Sequence, residues 1–111
     1  MSPLELAHRY IKSFVGELPL ESMAPVLADD LRFVGPWFEF DSAQAYLESL
    51  RADPPQAARY EILNAFEDGN SACLIYRFSK PGVQALVAQT FEVRDGKIGR
   101  IRLIFDTKAF A

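Results

Sequence analysis

The stretch from residue 71 to residue 105 constrains this chain most, because it has the pattern of three successive β-strands. The segments 71–79, 84–94 and 97–105 are rich in β-branched and aromatic residues, and turn-forming residues separate them. Asp95-Gly96, between the last two segments, is a strong hairpin signal because both residues tolerate the positive φ of a tight turn. We therefore expect the last two strands to pair antiparallel.

Alternation along these strands assigns one apolar face to each strand. One of these faces contains a polar residue. Gln89 lies at the centre of the face formed by Val87, Phe91 and Val93. A buried amide needs hydrogen-bond partners or a ligand. Gln89 is therefore a candidate site residue. The matching faces of the neighbouring strands are Leu74, Tyr76 and Phe78 in one and Ile101, Leu103 and Phe105 in the other.

The N-terminal half carries helical signals. Ser2 and Glu5 form a capping box with Pro3 at the first helical position, and Gly16 predicts the end of this helix. A short helix is predicted over 20–27, followed by a strand over 31–34 that Gly35-Pro36 interrupts and that 37–40 continues at a sheet edge. A further helix is predicted to be capped by Asp41 and to end near Ala52. The last of these elements is a strand over 58–66, with Tyr60, Ile62, Asn64 and Phe66 on one side.

The predicted order is α-α-β-α-β-β-β-β, which indicates one α+β domain over residues 1–111. We expect a cone: a curved antiparallel sheet with the N-terminal helices packed on its concave face. The mouth of such a cone is a natural site for a small molecule.

Composition limits the classes of partner. A net charge of -3 without a basic run gives no electrostatic basis for binding nucleic acid or an anionic membrane. The longest apolar runs are only strand-length and the N-terminus lacks a signal-peptide pattern, so we expect a cytoplasmic protein.

No cofactor or metal is expected. Cys73 is the only cysteine and His8 the only histidine, which is too few for a zinc site. Cys73 is expected to be a small buried hydrophobe within its strand. The sequence also lacks a G-x-G-x-x-G motif, a P-loop and a G-x-S-x-G motif.

The sequence resembles the nuclear-transport-factor-2-like superfamily, in particular its SnoaL-like and ketosteroid-isomerase-like members. The resemblance rests on the order of four short features: His8-Arg9-Tyr10 in the first helix, the Ala28-Asp29-Asp30 turn, the third helix, and four strands ending at Arg102-Leu103-Ile104-Phe105. It implies a cystatin-like α+β cone, commonly a homodimer through the sheet, with a pocket between sheet and helices.

The resemblance also implies a set of site residues. Isomerases of this kind use an Asp general base, with a Tyr and a protonated Asp as an oxyanion hole. The tyrosine matches Tyr10 and the protonated aspartate matches Gln89, whereas the base falls at Gly35, which cannot move a proton. The resemblance therefore implies a pair of hydrogen-bond donors in this chain, without the general base.

Three other residues are candidates for a substitute base. Glu39 follows the Gly35-Pro36 break and is alternatively a solvent-facing residue at a strand-to-helix junction. Asp106 ends the last strand, where alternation places it outside and where it alternatively caps the turn that follows. His8 lies at the boundary of the apolar stripe of its helix.

Three hypotheses for function remain open. The first is a pocket for a small hydrophobic, oxygenated ligand. The second is a SnoaL-like isomerase, cyclase or hydratase acting on a polyketide- or steroid-like substrate, and the third is an accessory or dimerisation module that pairs through an outer sheet face with Cys73 and Ile75. Tyr10 and Gln89 are equally compatible with an ordinary core. The predicted pocket is lined by Tyr10, Phe14, Trp37, Phe66, Val87, Gln89, Phe91 and Leu103.

Overall fold

The computed structural model describes residues 1–110. The structure has two α-helices and six strands, with short 3₁₀ turns between them and at the end; it differs from the predicted order in that the predicted second helix is replaced by 3₁₀ turns and the predicted first strand is two strands. The elements are α1 (Pro3–Val15), β1 (Leu27–Val34), β2 (Glu39–Phe40), α2 (Ala43–Ala52), β3 (Arg59–Asp68), β4 (Ser71–Lys80), β5 (Val83–Arg94) and β6 (Lys97–Phe105), with 3₁₀ turns at Leu20–Ser22, Ala24–Val26 and Thr107–Phe110.

The six strands form one curved, unclosed sheet in the order β2-β1-β6-β5-β4-β3. Four neighbouring pairs are antiparallel, and β1 pairs with β6 in parallel. α1 packs against β3, β4, β5 and β6, while α2 packs against β1 and β2. The predicted α+β class with helices on the concave face is confirmed, and the parallel pair is the departure from a purely antiparallel sheet.

The start and end of α1 agree with the sequence signals. Ser2 Oγ accepts a hydrogen bond from the Glu5 amide at 3.1 Å, and Glu5 Oε1 accepts one from the Ser2 amide at 2.9 Å. Gly16 ends the helix in the left-handed region at a φ of 89°. In addition, Glu67 of β3 accepts a hydrogen bond from the Leu4 amide at 2.9 Å, which fixes the first turn of α1 to the sheet.

Three predicted boundaries are wrong. β1 already begins at Leu27, so Ala28-Asp29-Asp30 belongs to the strand and is not a turn. The segment 20–27 forms two 3₁₀ turns instead of one helix, because Pro25 lacks the N–H that a continued helix needs. The N-cap of α2 is Ser42, whose hydroxyl accepts from the Ala45 amide at 3.1 Å. Asp41, the predicted cap, instead bonds the guanidinium of Arg32.

A bulge in β3 changes which of its residues face the helices. Ile62 lies opposite Tyr76, but Asn64 lies opposite Ile75, so Leu63 is an extra residue in the ladder. An extra residue inverts the alternation that follows it. Phe66 therefore lies opposite Cys73 on the outer face and is 55% exposed.

The β5–β6 hairpin has the predicted turn, with φ of 54° at Asp95 and 77° at Gly96. Its register places Gln89 opposite Leu74 on one side and Leu103 on the other, all on the inner face. Cys73, by contrast, lies half-buried on the outer face, so the prediction of full burial is wrong. Within residues 1–110, no helix has the length and apolar character needed to cross a bilayer.

Candidate functional site

A chain of hydrogen bonds joins α1 to the centre of the inner face. Gln89 Nε2 donates to the Tyr10 hydroxyl over 3.3 Å. The helical position of Tyr10 points its ring toward β5, where it meets Phe91 edge-on with ring centroids 5.4 Å apart. The two residues that the sequence singled out therefore lie together inside the fold.

Two further tyrosines extend this chain of hydrogen bonds. Tyr76 of β4 donates its hydroxyl hydrogen to Gln89 Oε1 over 2.7 Å. The hydroxyl of Tyr46, on α2, is hydrogen-bonded to that of Tyr10. We call Tyr10, Tyr46, Tyr76 and Gln89 the tyrosine network.

Sequence reasoning did not identify Tyr46 or Tyr76 as site residues. Alternation along β4 correctly places Tyr76 on the inner face, and Tyr46 lies on the buried face of α2. Buried tyrosines usually find a polar partner for the hydroxyl, and this was the available signal.

The network is fully buried. None of its four side chains is more than 4% exposed. Burial raises the pKa of Tyr10 to about 12. Burial also raises the pKa of Tyr46 and of Tyr76, and the neighbouring phenol of Tyr10 raises both pKa values further. The three phenols are therefore neutral near pH 7 and act as hydrogen-bond donors and acceptors.

The network contains more donor hydrogens than its own bonds use. Each of the three phenols carries one hydrogen and the amide carries two, so five are available. Three hydrogen bonds connect the four side chains. Whichever way the Tyr10–Tyr46 bond runs, one of these two hydroxyls keeps an unused hydrogen, and Gln89 keeps an unused amide hydrogen.

Aromatic rings surround the tyrosine network and make its surroundings apolar. Tyr46 stacks on Phe33 with ring centroids 4.6 Å apart, and Phe40 lies 5.4 Å away on another side. Phe14 follows Tyr10 by one helical turn, at 6.2 Å. In such surroundings a hydrogen bond to the network is stronger than it is in water.

One end of the inner face reaches the surface through half-buried apolar side chains. Leu103 lies opposite Gln89, and Phe105 lies opposite Val87. Phe14 packs against Phe78 with ring centroids 6.5 Å apart. We call Phe14, Phe78, Leu103 and Phe105 the rim.

A second group of aromatic residues adjoins the rim. Trp37 meets Phe105 edge-on at 5.2 Å and Phe110 at 5.5 Å between ring centroids. Trp37 itself is 53% exposed. Of the predicted pocket residues, Val87 and Phe91 are buried beside the network, Phe14 and Leu103 belong to the rim, Trp37 lies outside the rim, and Phe66 lies on the opposite face of the sheet.

The acidic residues proposed as substitute bases lie on the surface. Glu39 pairs with Arg32 at 3.2 Å and its side chain is 61% exposed. Asp106 is exposed and accepts a hydrogen bond from the Lys108 amide at 3.0 Å, as a turn cap. All 15 Asp and Glu residues are in fact exposed, so no carboxylate is brought to the tyrosine network. His8 is half-buried on α1.

Gly35 lies beside the rim. A Cβ built there would be 3.3 Å from Phe33 Cε1 and 3.6 Å from Leu103 Cβ. Because Leu103 is paired with Gln89, this position is one side chain away from the network.

Two surface depressions lie away from the network. One, of about 530 Å³, brings three arginines together with Asp30 and Glu92, and Arg94 is paired with Asp30 at 2.5 Å. The other, of about 270 Å³, lies on the outer face between Phe66 and Arg102. Across residues 1–110, no group of three or more His, Cys, Asp or Glu side chains is arranged to hold a metal ion.

Solved structures with the same fold include proteins of several descriptions. An NTF2-like protein of unknown function from Cytophaga hutchinsonii has a TM-score of 0.85 at 20% identity, over 99% of this chain and 95% of that one. An LEH-like epoxide hydrolase from M. tuberculosis has a TM-score of 0.82 at 20% identity, over 96% and 84%. A candidate ketosteroid isomerase from Kribbella flavida has a TM-score of 0.82 at 22% identity, over 94% and 77%.

The family comparison covers most of the sequence. A search of curated proteins found no match. The model of the SnoaL-like domain, however, matches residues 7–101, which include all four members of the tyrosine network. This chain therefore belongs to the SnoaL-like family.

Proposed function

We propose that this protein binds a small hydrophobic molecule carrying an oxygen that accepts hydrogen bonds, such as a ketone. The observation that supports this proposal is the surplus of donor hydrogens in the buried tyrosine network. One hydroxyl hydrogen of the Tyr10–Tyr46 pair and one amide hydrogen of Gln89 are not used within the network. Buried donors normally have a hydrogen-bond partner, and a ligand oxygen would accept hydrogen bonds from these two donors.

The rim offers the route to these donors. Its four side chains are apolar and half-buried, unlike the fully buried core around Tyr10. A ligand that displaces or slides between Phe14, Leu103 and Phe105 would place its apolar body among aromatic rings and its oxygen at the network. Apolar walls with few polar groups are typical of sites for small molecules.

The side chains around the tyrosine network favour binding without catalysis. The fold neighbours include an epoxide hydrolase and a candidate ketosteroid isomerase, whose names describe reactions on oxygenated molecules. In this chain every carboxylate is exposed, and the resemblance to ketosteroid isomerases places Gly35 at the position of their base. The donors could stabilise the oxygen of an enolate, but no carboxylate is present to form that enolate by removing a proton from the ketone.

Titration with bicyclic and tricyclic ketones tests the proposal. Indanone, tetralone and fluorenone are added to the wild-type protein, and binding is followed by calorimetry and by the fluorescence of Trp37, the only tryptophan, which adjoins the rim. At least one ketone is expected to bind, and Gln89→Leu is expected to weaken it by about fivefold or more, as loss of one hydrogen bond does. Failure of all three ketones to bind at millimolar concentration would contradict the proposal.

We also propose that two copies of the chain associate through the outer face of the sheet. Large apolar side chains are exposed there: Leu86 is 62% exposed, Ile104 is 58% exposed and Phe66 is 55% exposed. Ile104, Ala88 and Ile75 form a continuous row across three strands. A contiguous apolar patch of this kind usually marks an interface.

The occupant that suits this patch is a second copy. The depression on the same face is lined by Phe66, Cys73 and Arg102 together with Asp68 and Glu92. A face that carries both apolar surface and charges of both signs can complement itself about a two-fold axis. Sedimentation is expected to give a dimer that Ile104→Lys converts to monomer, whereas Gln44→Lys on α2 leaves it unchanged. A monomeric wild-type protein would refute this second proposal.

A further inference from the structure

We infer that Tyr76 is a positioning residue that fixes the orientation of the Gln89 amide and thereby makes the site prefer a carbonyl over a hydroxyl. The inference rests on the proposed function and deepens it. Tyr76 lies on β4 and contacts the amide oxygen of Gln89, whereas Tyr10 contacts the amide nitrogen. Its hydroxyl oxygen is 2.7 Å from Gln89 Oε1, whereas Gln89 Nε2 is 3.3 Å from the Tyr10 hydroxyl.

The environment of Tyr76 leaves its hydroxyl little choice of partner. The side chain is 4% exposed. Its cross-strand neighbours are the apolar Ile62 and Val87, and its ring meets that of Tyr60 edge-on. Within residues 1–110, its one hydrogen bond is that to Gln89. A buried hydroxyl that loses its acceptor costs free energy, so this bond holds the amide oxygen on the Tyr76 side.

The orientation of the Gln89 amide determines whether the network offers a ligand hydrogen-bond donors or an acceptor. With Oε1 bound to Tyr76, Gln89 directs only N–H groups toward Tyr10. The Tyr10–Tyr46 pair contributes a further hydrogen. A ligand oxygen that only accepts is satisfied by such a site, whereas the hydrogen of a ligand hydroxyl finds no acceptor on Gln89 and has to compete for a phenol oxygen.

If the amide turned over, the site would change its preference. The amide oxygen would then face Tyr10 and could accept from a ligand hydroxyl or from Tyr10 itself. Tyr76 prevents this turn only because its own hydrogen needs the amide oxygen. Tyr76 therefore acts on the ligand through Gln89 without contacting the ligand.

The test compares a ketone with the alcohol of the same skeleton. Dissociation constants are measured for indanone and indanol with the wild-type protein, Tyr76→Phe and the control Tyr60→Phe. The control removes the same atom from a tyrosine whose hydroxyl bonds the exposed Glu17 at 3.3 Å. We expect the wild-type protein to prefer indanone by about tenfold, because the amide offers the hydroxyl hydrogen of indanol no acceptor.

In Tyr76→Phe this preference is expected to fall to about twofold or less, because the amide can turn. Tyr60→Phe is expected to keep the wild-type preference. If Tyr76→Phe weakens both ligands by the same factor, Tyr76 only packs the core and the inference fails. If the wild-type protein binds neither ligand, the proposed function itself fails, which is a different result.

A second variant keeps the test decisive if Tyr76→Phe does not fold. Gln89→Met has similar length, retains Tyr76 and removes both polar atoms of the amide. The preference for indanone is expected to disappear in this variant too. A preference that persists in Gln89→Met would show that the amide is not its source and would overturn the inference.

Discussion

Gln89 and Tyr10, which are 79 positions apart in the sequence, lie within hydrogen-bond distance at 3.3 Å between the amide nitrogen and the hydroxyl oxygen. This bond connects the first helix to the fifth strand inside the core. Tyr46 joins the same hydroxyl from α2, so one phenol links both helices to the sheet. The tyrosine network therefore contributes to the packing of the helices as well as to the candidate site.

The bond between Tyr76 and Gln89 should be measurable as a coupling free energy. Tyr76→Phe and Gln89→Leu each leave a buried partner unpaired, so each is expected to lower the free energy of unfolding by about 1–3 kcal/mol. The double variant removes both partners, and its loss is expected to be about 1 kcal/mol or more smaller than the sum. Urea unfolding of the four proteins measures this coupling. Strict additivity would show that the two side chains do not interact.

Raised phenol pKa values predict loss of stability at alkaline pH. The pKa of Tyr10 in the folded protein is about 12 because of burial, compared with about 10 for an exposed phenol. Below pH 10 both states keep the proton and stability is unaffected. Between pH 10 and 12 the unfolded chain loses this proton first, so Tyr10 alone lowers the free energy of unfolding by about 2 kcal/mol at pH 12.

Tyrosinate absorbance and circular dichroism, recorded along the same titration, check this prediction. Tyr60, which is half-buried, is expected to ionise before the three buried phenols, which should ionise only together with the loss of native structure. Ionisation of all four tyrosines near pH 10 in a protein that stays folded would contradict the burial of the network.

Gly35→Asp should place a carboxylate next to the rim. The backbone of Gly35 is not in the left-handed region, and an added Cβ requires Phe33 Cε1, now 3.3 Å away, to move by a few tenths of an ångström. With indanone bound, the new carboxylate is expected to accelerate deuterium exchange at the carbon next to the carbonyl by about tenfold or more. Proton NMR measures this exchange.

The matched control for this variant is Gly35→Asn, which has the same shape and no basic oxygen. It is expected to exchange at the wild-type rate. Equal rates for the Asp and Asn variants would show that position 35 does not face the bound ketone.

The sequence was most informative where one local signal determined the structure. Asp95-Gly96 set the last hairpin, alternation placed Gln89 on the inner face, and Ser2 with Glu5 fixed the start of α1. In each case the residues that decide the conformation are neighbours in the chain, so their effect is visible in the sequence.

Features that depend on pairing between distant segments were not predictable in the same way. The bulge at Leu63 moved Phe66 to the outer face, although alternation alone placed it inside. The polar partners of Tyr10 and Gln89 depend on how α2 and β4 pack around them, so the roles of Tyr46 and Tyr76 were not predictable. Alternation identifies the face on which a side chain lies, but it does not identify the atom that its polar group meets.

Isotope-edited infrared spectroscopy of indanone labelled at its carbonyl tests the central claim most directly, because the carbonyl stretching frequency falls as hydrogen bonds to the oxygen strengthen. In the complex with wild-type protein, we expect a band below its frequency in an apolar solvent, and in Gln89→Leu a return toward that frequency. A bound ketone whose carbonyl band is the same in both proteins would show that the tyrosine network does not donate to the ligand.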